Sequence, residues 1–230
     1  VTTVVVGNCG ISLAPLVRDH VPPPLNLLGG QGKYRYPTMR AYARAVDEVR
    51  PAVNVAALVG HSTLRVATMS DVYRPATAAE QDAMVGLAEE AMEAGATGMS
   101  TGVFYATGAA ADVDEVVKIA RVVAQAGGVY STHIRDEARN IIASLDEAFT
   151  TANRAELPVV ISHHKCAGPD NWGRSPETLA YIRAAREKQP IGLDAYPYAA
   201  GSTVLRPEAV DGVIDIMVAW SEPHPEVVGR

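Results

Sequence analysis

Cysteine is scarce in this chain: its 230 residues hold two, Cys9 and Cys166. Two distant thiols cannot make the dense disulfide framework of a small secreted domain. They are read as reduced thiols, one of them available as a ligand, in a chain expected in the cytoplasm. Basic residues are outnumbered: 20 Lys and Arg against 26 Asp and Glu give a net charge of -6. That removes the electrostatic footprint a nucleic-acid partner needs. Long apolar runs are missing too. No run approaches the roughly 20 residues of a membrane helix, and the start lacks the basic region of a signal peptide, its apolar run ending at Gly7-Asn8. The chain does not open on Met; it opens inside a strand-like run, and a parallel strand there needs neighbours on both sides. The expectation is a segment of a longer protein.

What is present is a repeated pattern. Hydrophobic residues make up 48% of the chain, enough for a real core in one large α/β domain or two small ones. Strands are expected at 1–6, 54–59, 96–100, 129–133, 159–163 and 191–195. Helices are expected at 39–49, 78–94, 113–126, 138–155 and 175–188. Several helix starts carry their own signal: Thr38 and Asp112 as caps, Thr77 with Glu80 three residues later as a capping box, and Pro176 at a first helical position. Residues 19–37, rich in Pro and Gly, are expected to form a long functional loop. Strand and helix alternate about six times, which demands a parallel sheet covered by helices. A doubly wound sheet and a (β/α)8 barrel both satisfy that alternation.

The strand ends decide between them. Val1-Thr2-Thr3-Val4-Val5-Val6 runs into Gly7-Asn8-Cys9-Gly10; the strand from Val129 ends at His133; the strand from Val159 ends at His163. In a barrel all strand ends open on one mouth, so residues far apart in sequence converge. His133 and His163 stand 30 residues apart, one βα repeat, and neighbouring strand ends lie about 5 Å apart. Two imidazoles so placed suit one zinc at roughly 2.0–2.1 Å. One histidine at a strand end is ordinarily a core or loop residue, and one free cysteine is ordinarily a small buried thiol. Two histidines at matched positions and a cysteine in a glycine-flanked turn at a third strand end shift the balance to a metal site. Of the pair His163-His164 only one can face the mouth. His163 is chosen for the inward phase suggested by Ile161, leaving His164 to a structural hydrogen bond.

Polar residues follow the same strand ends. Lys165 offers a point charge to an anionic substrate group. Tyr105, Tyr196, Tyr198, Ser202 and Thr203 offer hydroxyls. Arg135-Asp136-Glu137 reads equally well as a set of substrate contacts and as an exposed helix start with acids near the positive dipole, and Asp194 as an acid that supports a ligand.

These stretches carry a resemblance. VTTVVVGNCGISLAP at 1–15, residues 95–108, STHIRDEA at 131–138, ISHHKCAG at 161–168 and DAYPYAAGST at 194–203 resemble the N-acyl-D-amino-acid deacylases, or D-aminoacylases, of the zinc amidohydrolase superfamily. The resemblance spans nearly the whole chain. It implies a (β/α)8 barrel of the TIM type with a small β-domain built from both chain ends. It also implies hydrolysis of N-acyl-D-amino acids to a carboxylate and a D-amino acid. In its terms Cys9, His133 and His163 match the tight zinc ligands, and Tyr105, Lys165, Tyr196 and Ser202 match residues around the substrate and its carboxylate.

Two family features have no counterpart in the sequence: a His-x-His pair on the first barrel strand, and a general-base Asp on the eighth strand. Neither Asp211 nor Asp215 follows an apolar strand. The expected fold is therefore an incomplete barrel of about six βα units. Residues 1–200 form its central part, and 201–230 begin an insertion or a C-terminal extension. The expected activity is zinc-dependent amide hydrolysis on a small N-acyl amino acid, the base lying outside the chain. Another amidohydrolase, a cyclic amidase or a deaminase, and an inactive truncated barrel are the alternatives.

Overall fold

The computed structural model describes residues 1–29, 32–205, 215–221 and 223–230. Six parallel strands form one sheet: β1 (Thr3–Val6), β4 (Asn54–Gly60), β5 (Gly98–Gly102), β6 (Val129–His133), β7 (Val159–Ile161) and β8 (Ile191–Leu193). They lie side by side in chain order. A doubly wound sheet reverses its order at a switch point; this one never does, which is the winding of a barrel. Among the described residues the sheet stays open, with no strand beyond β1 or β8.

Helices α1 (Met39–Val49), α2 (His61–Thr68), α3 (Ala78–Glu93), α4 (Ala106–Ala109), α5 (Val113–Gln125), α6 (Ile141–Ala155) and α7 (Ser175–Arg186) separate the strands. Their starts use local chemistry. The Thr38, Thr77 and Asp112 side chains accept backbone N–H bonds at the heads of α1, α3 and α5, and Glu80 completes a capping box with Thr77. The core fills the layer between sheet and helices. Val59, Met99, Tyr130, Val159 and Ile161 meet Ala88, Ile119, Ala120, Leu145, Ala152 and Ile182 there.

Register separates the two faces of the sheet. Thr132 pairs with both Thr101 and Ile161, so these point with Tyr130 toward the helices. The opposite phase carries Ser100, Gly102, Ser131 and His133. Small polar side chains line that inner face: Ser131 Oγ lies 2.8 Å from Ser162 Oγ, and Ser100 Oγ bonds the Gly7 carbonyl.

Two parts differ from expectation. Residues 19–37 are not a plain loop. A turn of helix at Leu25–Leu28 and β3 (Tyr34–Tyr36), paired antiparallel with β2 (Leu16–Arg18), bury Leu16, Leu25 and Tyr34 against Val66 and Met69 near α2. Helix α2 begins directly after β4 with no loop, and its first six residues are all buried. Of the extension expected at 201–230, residues 206–214, with Asp211, and 222 lie outside the described residues.

Candidate metal centre

Cys9 sits in a turn that glycines make possible. Gly7, Cys9 and Gly10 have φ of +86°, +55° and +78°, a left-handed run that costs a side-chain-bearing residue about 1–2 kcal/mol. A side chain at Gly7 would strike the Leu58 carbonyl on β4, and one at Gly10 the Gly102 backbone on β5. The turn is clamped by Gly10 N–H donating to Ser100 Oγ at 2.9 Å and Ile11 N–H donating to the Asn8 carbonyl at 3.0 Å. The sulfur is thereby fixed over the inner face of the sheet.

His133 ends β6 in the inward phase and is 5% exposed. Its ring packs against Phe104 and Tyr105, both with centroids at 4.9 Å. Burial pushes its pKa down to about 4, against the opposing pull of Glu137, so the imidazole is neutral at physiological pH. Neither ring nitrogen has a hydrogen-bond partner among the described residues. A buried neutral imidazole with no bond to make is out of keeping with ordinary interiors and in keeping with a ligand.

His163 reaches the site by a different route from the expected one. Strand β7 stops at Ile161, which faces the helices, so strict alternation would send residue 163 outward as well. The backbone instead turns left-handed, with His163 at φ +40°. Asp194 holds that turn: its Oδ1 accepts from His163 N–H at 2.6 Å, its carbonyl from His164 N–H at 2.8 Å, and its N–H donates to the Ile161 carbonyl at 3.1 Å. His163 Nε2 then lies 3.3 Å from Cys9 Sγ. Burial lowers the His163 pKa, but hydrogen bonds with Cys9 and Glu137 outweigh it and raise it to about 9. Groups that draw a proton to this point draw a metal cation to it equally. His164 points the other way, its Nε2 2.9 Å from Thr178 Oγ1 on α7.

One donor atom from each of Cys9, His133 and His163 falls within 4.8 Å of the other two. One thiol sulfur and two imidazole nitrogens at that separation are a borderline-soft donor set of the kind zinc takes, with Zn–S about 2.3 Å and Zn–N about 2.0–2.1 Å. The residues fit the ion.

Of the other expected residues, Tyr105, Lys165 and Tyr196 lie beside the two histidines. Tyr105 is buried against His133, and its hydroxyl bonds with Thr203; burial raises its pKa to about 12. Lys165 Nζ lies 5.6 Å from the Tyr196 ring centre, and that ring is 6.4 Å from His163. The Tyr196 hydroxyl lies against Gly201, and Ser202 follows, exposed. Arg135 is structural: it grips Glu147 on α6 with two nitrogens and bonds the Ala109 and Ala111 carbonyls. Asp136 accepts from Ala138 and Asn140 N–H and so shapes the approach to α6.

Glu137 departs most from its expected place. Helix α6 begins at Ile141, so Glu137 is not on an exposed helix start; it is buried beside all three of His133, His163 and Lys165. The available signal was an acid four residues after His133.

No family model matches the chain. It is 50% identical over its whole length to a D-aminoacylase from Alcaligenes xylosoxydans xylosoxydans, covering 48% of that protein. It is 48% identical to an N-acyl-D-aspartate deacylase of the same organism, covering 46% of it. Its relatives along the whole chain are a D-aminoacylase and N-acyl-D-amino-acid deacylases. Solved relatives agree: the fold matches a crystal structure of D-aminoacylase with a TM-score of 0.97 at 49% identity. It matches the N-acyl-D-glutamate deacylase of Bordetella bronchiseptica, complexed with zinc and a phosphonate mimic of the tetrahedral intermediate, with a TM-score of 0.94 at 45% identity. All of this chain is covered in both comparisons, and 48% of each solved chain. The chain therefore spans about half the length of its deacylase relatives, and its sheet is an incomplete amidohydrolase barrel.

Proposed function

We propose that this chain carries the tight metal site and part of the substrate wall of a zinc-dependent hydrolase. The reaction cleaves the amide of an N-acyl-D-amino acid to a carboxylate and a D-amino acid. The observation that supports this reading best is the meeting of Cys9, His133 and His163 within 4.8 Å from three separate strand ends. Its relatives, named for D-amino-acid amides, point the same way.

Cys9, His133 and His163 would hold the zinc, which supplies Lewis-acid activation of a water and of the scissile carbonyl. Tyr105 keeps its hydroxyl proton up to about pH 12 and would donate a hydrogen bond to the oxygen on which charge develops. Lys165 and the hydroxyls of Tyr196 and Ser202 orient the substrate through its carboxylate. Glu137 is committed to His163 and Lys165 and is not the general base, so no base is assigned among the described residues. No helix among them is long and apolar enough to cross a membrane.

The test combines two measurements. Elemental analysis of the purified chain is expected to find bound zinc, lost in Cys9→Ala. The longest polypeptide carrying this sequence is expected to release amine from N-acetyl-D-methionine and not from its L-enantiomer. Unchanged zinc content in Cys9→Ala, or equal cleavage of both enantiomers, overturns the reading.

A further inference from the structure

Glu137 belongs to neither the ligand set nor the substrate wall, yet it touches both. It is 8% exposed, in the segment between β6 and α6. Its Oε1 lies 3.1 Å from His163 Nδ1 and 2.6 Å from Lys165 Nζ, and its Oε2 lies 3.7 Å from His133 Nε2. Its backbone carbonyl accepts from Ala167 N–H at 2.7 Å, which ties this segment to the exit of β7.

The ring nitrogen of His163 nearest Cys9 is Nε2. It can bind a metal only when the imidazole is neutral with its proton on Nδ1. Two neighbours of Nδ1 press in opposite directions. A carboxylate only accepts, so Glu137 demands Nδ1–H. An ammonium only donates, so Lys165, with Nζ 3.1 Å from Nδ1, would take the Nδ1 lone pair and force the proton onto Nε2, facing Cys9. We propose that Glu137 is the positioning residue that decides this contest for the metal. It accepts the Nδ1 proton, and the same oxygen, closer to Lys165 than the ring is, draws the ammonium off. Lys165 is anchored further by donating to the His163 carbonyl at 3.2 Å. One carboxylate thus sets the tautomer of a ligand and the place of a substrate-facing cation together. The inference rests on the zinc reading of Cys9, His133 and His163 given above.

The test is zinc affinity, measured on the intact chain by competition with a chromophoric chelator. Glu137→Ala is expected to bind zinc about 10- to 100-fold more weakly, the usual effect of losing a carboxylate behind a ligating histidine. Adding Lys165→Met to Glu137→Ala is expected to restore most of that affinity, because the competing donor is gone; no purely structural role predicts such a rescue. Glu137→Gln, nearly isosteric and still able to accept, falls between wild type and Glu137→Ala and guards against a folding defect. Wild-type affinity in Glu137→Ala, or a double variant no better than Glu137→Ala, overturns the proposal while leaving the metal centre standing. A wild-type chain that binds no zinc overturns both.

Discussion

The buried ion pair behind the sheet gives the most demanding prediction. Glu115 on α5 is 1% exposed and receives two partners on one oxygen: His61 Nε2 at 2.8 Å and Arg65 Nη1 at 2.5 Å. Arg65 is fully buried, and its other nitrogens bond the carbonyls of Thr107, Val72 and Arg74. Burial alone would raise the Glu115 pKa; hydrogen bonds and charge from His61 and Arg65 outweigh it and lower it from 4.5 to about 2. Each tenfold change in proton affinity is worth about 1.4 kcal/mol, so the ionised carboxylate contributes about 3 kcal/mol. Because the folded value is the lower one, that contribution is complete above about pH 4.5 and drains away as pH falls toward about 2. Glu115→Gln keeps the volume and strands Arg65 without its counter-charge, a change that typically costs about 3–5 kcal/mol. Urea unfolding is expected to place the variant about 3 kcal/mol below wild type at pH 7, with the gap closing across pH 4.5 to 2. A gap under about 1 kcal/mol, or one that does not change with pH, refutes the reasoning.

Two further outcomes test the packing around the site. Gly102 ends β5 against the Cys9 carbonyl and the Tyr105 ring, and a Cβ there would collide with both; Gly102→Ala is expected to displace the Cys9 turn, weakening zinc binding about tenfold or more and stability by about 1–3 kcal/mol, read by chelator competition and urea melts. Ile119 is fully buried in the sheet–helix layer, so Ile119→Ala is expected to cost about 2–5 kcal/mol in urea unfolding with zinc affinity of the folded chain unchanged.

The legible part of this protein was the part written locally. Thr77 with Glu80, Thr38, and Asp112 announce helix starts because a cap is satisfied within three residues of itself. The β-branched runs before Cys9 and His133 announce strands because each side chain's phase is fixed by its immediate neighbours. A run of such strands with helices between them was enough to expect a barrel mouth and to single out Cys9, His133 and His163, whose donor atoms lie within 4.8 Å of one another. Helix α2 was missed for the converse reason. It starts without a loop, and buries His61, Ser62, Thr63 and Arg65, so it shows no amphipathic stripe. Its partners, Glu115 and the Thr107 carbonyl, lie 54 and 42 residues away from His61 and Arg65.

The alternation, the caps and the strand-end placement of Cys9 and His133 depend on contacts a few residues long and can be read along the chain. The one-way strand order, the inward swing of His163 and the place of Glu137 depend on packing between distant segments. The swing runs against strand periodicity and exists because Asp194, just past the end of β8, clamps a left-handed turn. Glu137 is read as a surface acid until the exit of β7 brings His163 and Lys165 to it, residues 26 and 28 positions further along the chain. Local rules fix where a side chain starts; what it meets is set by how separate strands come to lie beside one another.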